Sequence, residues 1–218
     1  MQQNSSSSTP STNTILYACL LVYPPMALLA LGWLYLQNNS LPSLWQHLWH
    51  KPIWNLLLGM GIGLIVVTLS QLSSNSLSWA KKMEERFCPF FANLTLKHIF
   101  LLALLSSIGE ELFFRGAMQP VFGITLTSLI FGSLHILPPN EGEKLDIFSK
   151  YSWTIFAIAM GFLLGYMYEF SQNILAPIST HFWVNFLNMY FLSTKYTQNP
   201  QNHSTSQNTL KRREDNAT

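Results

Sequence analysis

The stretch Glu110-Glu111-Leu112-Phe113-Phe114-Arg115 puts two acids and an arginine inside an apolar run from about His98 to Phe122. Ionised groups at membrane depth are costly and persist where they pair or do chemistry. Glu111 and Arg115 are four apart, so a helix sets them on one face in position for an ion pair. Glu110 points about 100° away and is left to face something else. The stretch therefore reads as a structural clamp beside a reactive carboxylate. Other apolar segments contribute His135, His181 and Asn185, and the last two, four apart, share a helix face. In such a set Glu110 is the candidate general base that activates a water, with His135 holding or polarising it. His181 and Asn185 are candidates to donate hydrogen bonds to charge developing on a carbonyl oxygen. That combination suits hydrolysis of a peptide bond without a covalent intermediate. Ser106 and Ser107 precede the acids, but neither has an evident base, and both are expected to bond backbone carbonyls.

The same residues allow two other readings. Glu110, His135 and His181 offer the oxygen and nitrogen ligands zinc accepts, with a fourth position for water, and Glu111 would then become the base. No H-E-x-x-H pair lies on one helix, so a cofactor-free site is the first expectation and zinc the alternative. Each polar group also has a bland role, as helix-to-helix hydrogen bonds or a Glu-Arg lock between helices.

Positioning these groups falls to helices. Of 218 residues, 49% are hydrophobic and 10% charged, against about 25% charged in a soluble domain. Long apolar blocks predict an all-α, polytopic transmembrane bundle of about six membrane helices. These are expected at Thr14 to Gln37, kinked at Pro24-Pro25, then Pro52 to Leu72, His98 to Phe122, a short Ile124 to Leu137, Tyr151 to Phe170, and Ile174 to Leu192. Pro138-Pro139 stops the short helix, and a polar loop runs from Asn140 to Lys150. Gly59, Gly61 and Gly63, and later Gly161 and Gly165, are placed for close helix contact. The charged segment Ser73 to Lys97 reads as a solvated or headgroup-contacting helix without a binding site. Trp45, Trp49 and Trp54 sit at plausible interface depths, and His47 and His50, lacking a third ligand nearby, read as interfacial polar residues.

The chain thus divides into a polar tail at 1–13, a membrane domain at 14–192 with its motif-bearing core at 98–192, and a disordered polar tail at 193–218. Six crossings put both termini on one side. Ten of the twelve Lys and Arg fall there: Lys81, Lys82, Arg86, Lys97, Lys144, Lys150, Lys195, Lys211, Arg212 and Arg213. That side is therefore expected to be the cytoplasm. The net charge of +2 is too small and scattered for nucleic acid. Two cysteines, Cys19 and Cys88, build no disulfide framework.

In this order and spacing the motifs resemble the CAAX-protease-like and bacteriocin-processing intramembrane proteases, the CPBP or Abi family. Its pattern is Glu-Glu-x-x-x-Arg, then Phe-x-x-x-His, then His-x-x-x-Asn. Here these are Glu110-Glu111 with Arg115, Phe131 with His135, and His181 with Asn185. The resemblance covers about Ile99 to Leu192. It implies an intramembrane endopeptidase in which Glu110 and His135 activate water and His181 and Asn185 stabilise the oxyanion, with Glu111, Arg115 and Phe131 in support. It also implies a peptide or membrane-protein substrate in contact with the bilayer, prenylated in the eukaryotic relatives, and a bacterial or cyanobacterial plasma or thylakoid membrane as the setting. The family has been described both as metalloproteases and as glutamate-dependent enzymes. No stretch of the sequence marks a prenyl-binding surface, and six helices fall short of the eight of the prenyl-protein enzymes. Two other function classes are a non-proteolytic immunity or scaffold protein and a small transporter with Glu110 in a proton path. The transporter would carry related halves, and none are evident.

Overall fold

The computed structural model describes residues 11–37, 48–136 and 147–198, with the side chains of 147–150 and 196–198 left aside. Trp45, His47, Pro138-Pro139, Lys144, Lys211, Arg212 and Arg213 lie outside the described residues. The described chain is helical, without strands: α1 (Thr12–Leu36), α2 (Pro52–Ser76), α3 (Ser78–Phe91), α4 (Leu96–Glu111), a π-helical segment (Leu112–Met118), α5 (Gln119–Ser133), α6 (Ile147–Ser171) and α7 (Leu175–Gln198).

Ser11 caps α1 by accepting the Thr14 N–H at 3.2 Å. The helix continues through Pro24-Pro25, whose missing N–H groups deprive the Leu20 and Leu21 carbonyls of their intrahelical donors. Its outer face carries Tyr17, Leu21, Leu28 and Leu36, all more than two-thirds exposed. Such a face belongs against lipid rather than water. Its inner face sets Ala30 and Leu34 against Ala117.

The seam between α2 and α7 is made of small residues. A Cβ on Gly59 would lie 2.4 Å from the Ala176 carbonyl oxygen, and one on Gly63 would lie 2.9 Å from Trp183 Cβ. Ser179 and Thr180 use this closeness to donate to the carbonyls of Leu56 and Gly59, at 2.8 and 3.0 Å. Without a hydrophobic drive in lipid, such backbone approach and hydroxyl bonding hold helices together. Gly61 takes no part, having nothing within 4 Å.

A second feature folds α5 back on α4. The rings of Phe114 and Phe131 are 5.0 Å apart, whereas seventeen residues of straight helix would separate them by roughly 25 Å. The chain reverses at Gly123, whose φ of 74° and ψ of 169° lie in a region that a side chain all but forbids. The break expected between Phe122 and Ile124 is at this glycine. Just upstream, Pro120 has no N–H for the Gly116 carbonyl and its ring would collide with that oxygen. The widened π turn relieves this, and the Gln119 N–H bonds back to Phe114 instead.

Among the described residues, α1, α2 and residues 151–171 of α6 have the length and hydropathy to cross a membrane, and α3 with the helix after it makes a fourth if that bent pair is one span. The count is lower than six because α4, α5 and α7 carry the polar residues of the site and α5 has only 15 residues. The all-α membrane bundle stands. Helix α7 runs six residues beyond the expected Leu192, to Gln198. Lys195 anchors this extension on Glu84 at 2.8 Å and on Gln71 at 3.2 Å.

Candidate active site

The clamp closes on Glu111 Oε1, while Glu111 Oε2 and Arg115 Nε stay buried without a partner. Glu111 and Arg115 are fully buried, with Arg115 Nη1 donating to Glu111 Oε1 at 3.0 Å. Arg115 Nη2 donates to the Gly161 carbonyl of α6 at 3.1 Å, and one turn on, Gln119 Nε2 donates to the Gly165 carbonyl at 3.1 Å. Two rungs four residues apart thus tie the π segment and the start of α5 to α6. Gly161 permits the approach, since a Cβ there would be 3.0 Å from Ser128 of α5. His181 of α7 joins through Nδ1, 2.7 Å from Glu111 Oε1. A buried charge pair holds only when such hydrogen bonds surround it.

Phe131 is the hub of the group. The Arg115 guanidinium lies 4.6 Å from its ring centroid, within cation–π range. The His135 and His181 rings lie 4.6 and 6.2 Å from it. His135 Nδ1 is 2.7 Å from the Phe131 carbonyl oxygen. That oxygen can only accept, so Nδ1 carries the proton and Nε2 holds the lone pair in the neutral ring.

The other face of α4 opens on a cavity of about 590 Å³, whose lining includes Glu110, His135, His181 and Asn185. Glu110 Oε2 is buried with no hydrogen-bond partner and stands 3.9 Å from His181 Nε2. Asn185 Nδ2 donates to Ser106 Oγ at 3.0 Å, and Ser106 Oγ donates in turn to the Ala103 carbonyl at 3.2 Å. Ser107 likewise bonds the Leu104 carbonyl at 3.1 Å, so both serines bond backbone as expected. The seven residues that the sequence proposed for the site reach this one locality. Glu110, His135, His181, Asn185 and Phe131 line the cavity, while Glu111 and Arg115 lie beneath it.

Some contributors were missed in the sequence. The charged side of α3 is exposed at Lys81, Lys82 and Glu85. Its other side, with Met83, Phe87 and Phe90, walls the cavity, which corrects the reading of this segment as a solvated helix without a binding role. Tyr23 and Cys19 of α1 also line the cavity. Phenylalanines every three or four residues in a charged helix were the available hint on α3. Cys88 is buried on that helix, and burial pushes its thiol up to about 11, which keeps it protonated and inert.

The zinc alternative needs Glu110, His135 and His181 around one point. Among the described residues no three His, Cys, Asp or Glu side chains gather as a metal ion would need. His181 Nδ1 is held by Glu111, the orientation a carboxylate also gives a metal-ligating histidine, and its Nε2 stays available.

Residues 92–187 match the family described as type II CAAX prenyl endopeptidase Rce1-like. The chain is also 36% identical over 95 residues to the uncharacterized protein YpbD of Bacillus subtilis (strain 168), an overlap covering 44% of this chain and 46% of that protein. The chain thus matches less than half the length of this curated relative. No solved structure matches.

Proposed function

We propose, from the match of residues 92–187 to the Rce1-like family, that the chain hydrolyses peptide bonds of membrane-associated substrates with water activated by Glu110. The observation that carries this is the buried Glu110 oxygen without a partner, on the wall of a cavity shared with His135, His181 and Asn185. A carboxylate held ready in an apolar site, with donors opposite, is the arrangement base-assisted hydrolysis requires.

Glu110 takes a proton from a water as its oxygen attacks the scissile carbonyl carbon, and His135 Nε2, the lone-pair nitrogen, orients that water. The developing oxyanion receives hydrogen bonds from His181 and Asn185. Asn185 has a second amide proton beyond the one given to Ser106. For His181, Nδ1–H is donated to the Glu111 carboxylate, so Nε2 donates in the imidazolium form. The charges of Glu110, Glu111, Arg115 and His181 then sum to zero, which suits a site at membrane depth. The proton on Glu110 passes to the leaving amine as the C–N bond breaks. The cavity's apolar walls from α1 and α3 favour a substrate presented from the bilayer, prenylated or otherwise lipid-associated.

The test is cleavage by the purified protein in liposomes, read by mass spectrometry. The peptide set includes C-terminal peptides with and without a prenyl group. Glu110→Ala and His135→Ala are expected to remain folded and lose cleavage, His181→Ala to lose cleavage with a lowered Tm because Glu111 loses a donor, and a chelator is expected to leave the wild type active. Loss with chelator and rescue by zinc would reassign the histidines as ligands. Cleavage retained in all three folded variants would remove the site.

A further inference from the structure

Helices α4 and α7 meet along one stripe of each. On α4, Leu102, Ser106 and Glu110 are four apart, share a face and line the cavity. On α7, Met189, Asn185 and His181 do the same. The two stripes pair in opposite directions. Met189 packs on the cluster that holds Leu102, Asn185 Nδ2 is 3.0 Å from Ser106 Oγ, and His181 Nε2 is 3.9 Å from Glu110 Oε2. Successive rungs are one helical turn apart, about 6 Å. The middle rung is closed by a hydrogen bond, and the rung beside it, where the reaction is placed, is wider than a hydrogen bond.

An asparagine amide donates or accepts according to which way round it sits. Beside an oxyanion, the carbonyl edge would repel the charge that the amino edge stabilises. Ser106 decides between them. Its hydroxyl has one proton, which goes to the Ala103 carbonyl at 3.2 Å. Toward Asn185 the oxygen is left as an acceptor, so the amino edge of Asn185 is the one that meets it. Ser106 is buried, which shields this arrangement from competing water. The Asn185 nitrogen is thereby held on the α4 side of the cavity, one turn from Glu110, with a second proton beyond the one that Ser106 takes.

Resting on the reading of Asn185 as an oxyanion donor, we propose that Ser106 is a positioning residue of this active site: it fixes the Asn185 amide with its amino edge toward the reacting carbonyl. Behind this ladder, α1 holds α4 by backbone, since a Cβ on Gly109 would lie 2.8 Å from the Tyr23 carbonyl oxygen. The loss of one hydroxyl therefore leaves the helix in place. Ser107 supplies the contrast. Its hydroxyl also bonds a backbone carbonyl, that of Leu104 at 3.1 Å, but it sits one residue round the helix from the cavity face.

The deciding variant is Ser106→Ala, which removes the hydroxyl from a helix that alanine favours. With the peptide that wild type cleaves fastest, kcat is expected to fall about fivefold to tenfold, the worth of one neutral hydrogen bond, while KM stays within about twofold. Ser107→Ala is expected to keep the wild-type kcat. In the Asn185→Ala background, itself down by about a hundredfold or more, Ser106→Ala should have no further effect. A phosphinate peptide, whose P–O⁻ stands in for the oxyanion, should bind Ser106→Ala about fivefold to tenfold more weakly, while the cleaved product binds as it does to wild type. A wild-type kcat in Ser106→Ala, an equal loss in Ser107→Ala, or losses that multiply in the double variant would overturn the proposal. If Asn185→Ala cleaves like wild type, it is the oxyanion assignment that fails, and this outcome is separate.

Discussion

Glu110 and Glu111 are neighbours on one helix, and their surroundings differ in nearly every respect. Glu111 is fully buried and accepts from Arg115 at 3.0 Å, with His181 Nδ1 at 2.7 Å. Glu110 faces the cavity with Oε2 unpartnered. Each carboxylate keeps its Oε2 buried without a partner, but Glu111 Oε1 takes both cations and serves the fold, while Glu110 is the one that lines the cavity. A single residue step round the helix makes the difference, and the clamp is what makes the exposed member tolerable. By fixing Arg115 to α6 and His181 to Glu111, it brings positive charge close to Glu110 without letting that charge close on it.

The most damaging change should be Arg115→Ala. It leaves Glu111 buried without its cation, and breaking such a pair costs about 3–5 kcal/mol. Little folded protein is expected by size exclusion in detergent. Arg115→Lys should not restore it, because an ammonium lacks the fork that reaches both Glu111 and the Gly161 carbonyl. Glu110→Gln should do the reverse. Its Tm stays the same or rises, since no bond to Oε2 is lost, while cleavage falls by about 10²–10⁴, the usual worth of a general base. If both variants unfold alike, the contrast between the two acids is wrong.

A smaller effect is expected from Gly123→Ala, where a side chain would meet backbone angles costing about 1–3 kcal/mol. It acts on both regions at once, because the reversal at Gly123 brings Phe131 under Arg115 and His135 to the cavity. Unfolding temperature and cleavage should fall together. Phe131→Leu should be the mildest, costing about 1–2 kcal/mol through the lost guanidinium–ring contact. A matching partial loss of cleavage would show that the ring couples clamp and cavity, and a loss of stability alone would confine it to the clamp.

Much of this site was legible from residue types. Glu111 and Arg115 announce themselves by being four apart in an apolar run, and His181 with Asn185 by the same spacing. Gly123 separates two apolar stretches and sits where the helix turns back. The π segment was not legible, because its cause is a clash between Pro120 and a carbonyl one turn away, and whether the helix kinks or widens depends on what packs beside it. The role of α3 was masked by Lys81, Lys82 and Glu85, whose charges describe only its outer face. Tyr23 was hidden among three similar tyrosines on one helix. Gly61 resembled Gly59 and Gly63 in sequence, yet it faces open space.

What the sequence determined by itself is the class of molecule and the inventory of its chemistry. Apolar blocks too long and too sparsely charged for a soluble domain require a membrane bundle, and the few polar groups within them must pair or react. Periodicity alone assigned Glu111 to Arg115 and left Glu110 over. Which groups then meet was decided by tertiary structure. Helical spacing relates residues on one helix and carries no information about distances between helices, so the bond of His181 to Glu111, the cavity, and the inward turn of Tyr23 arise only from packing. That packing rests on short-range backbone contacts at Gly59, Gly109 and Gly161, where the absence of a side chain matters only once a neighbour is in place.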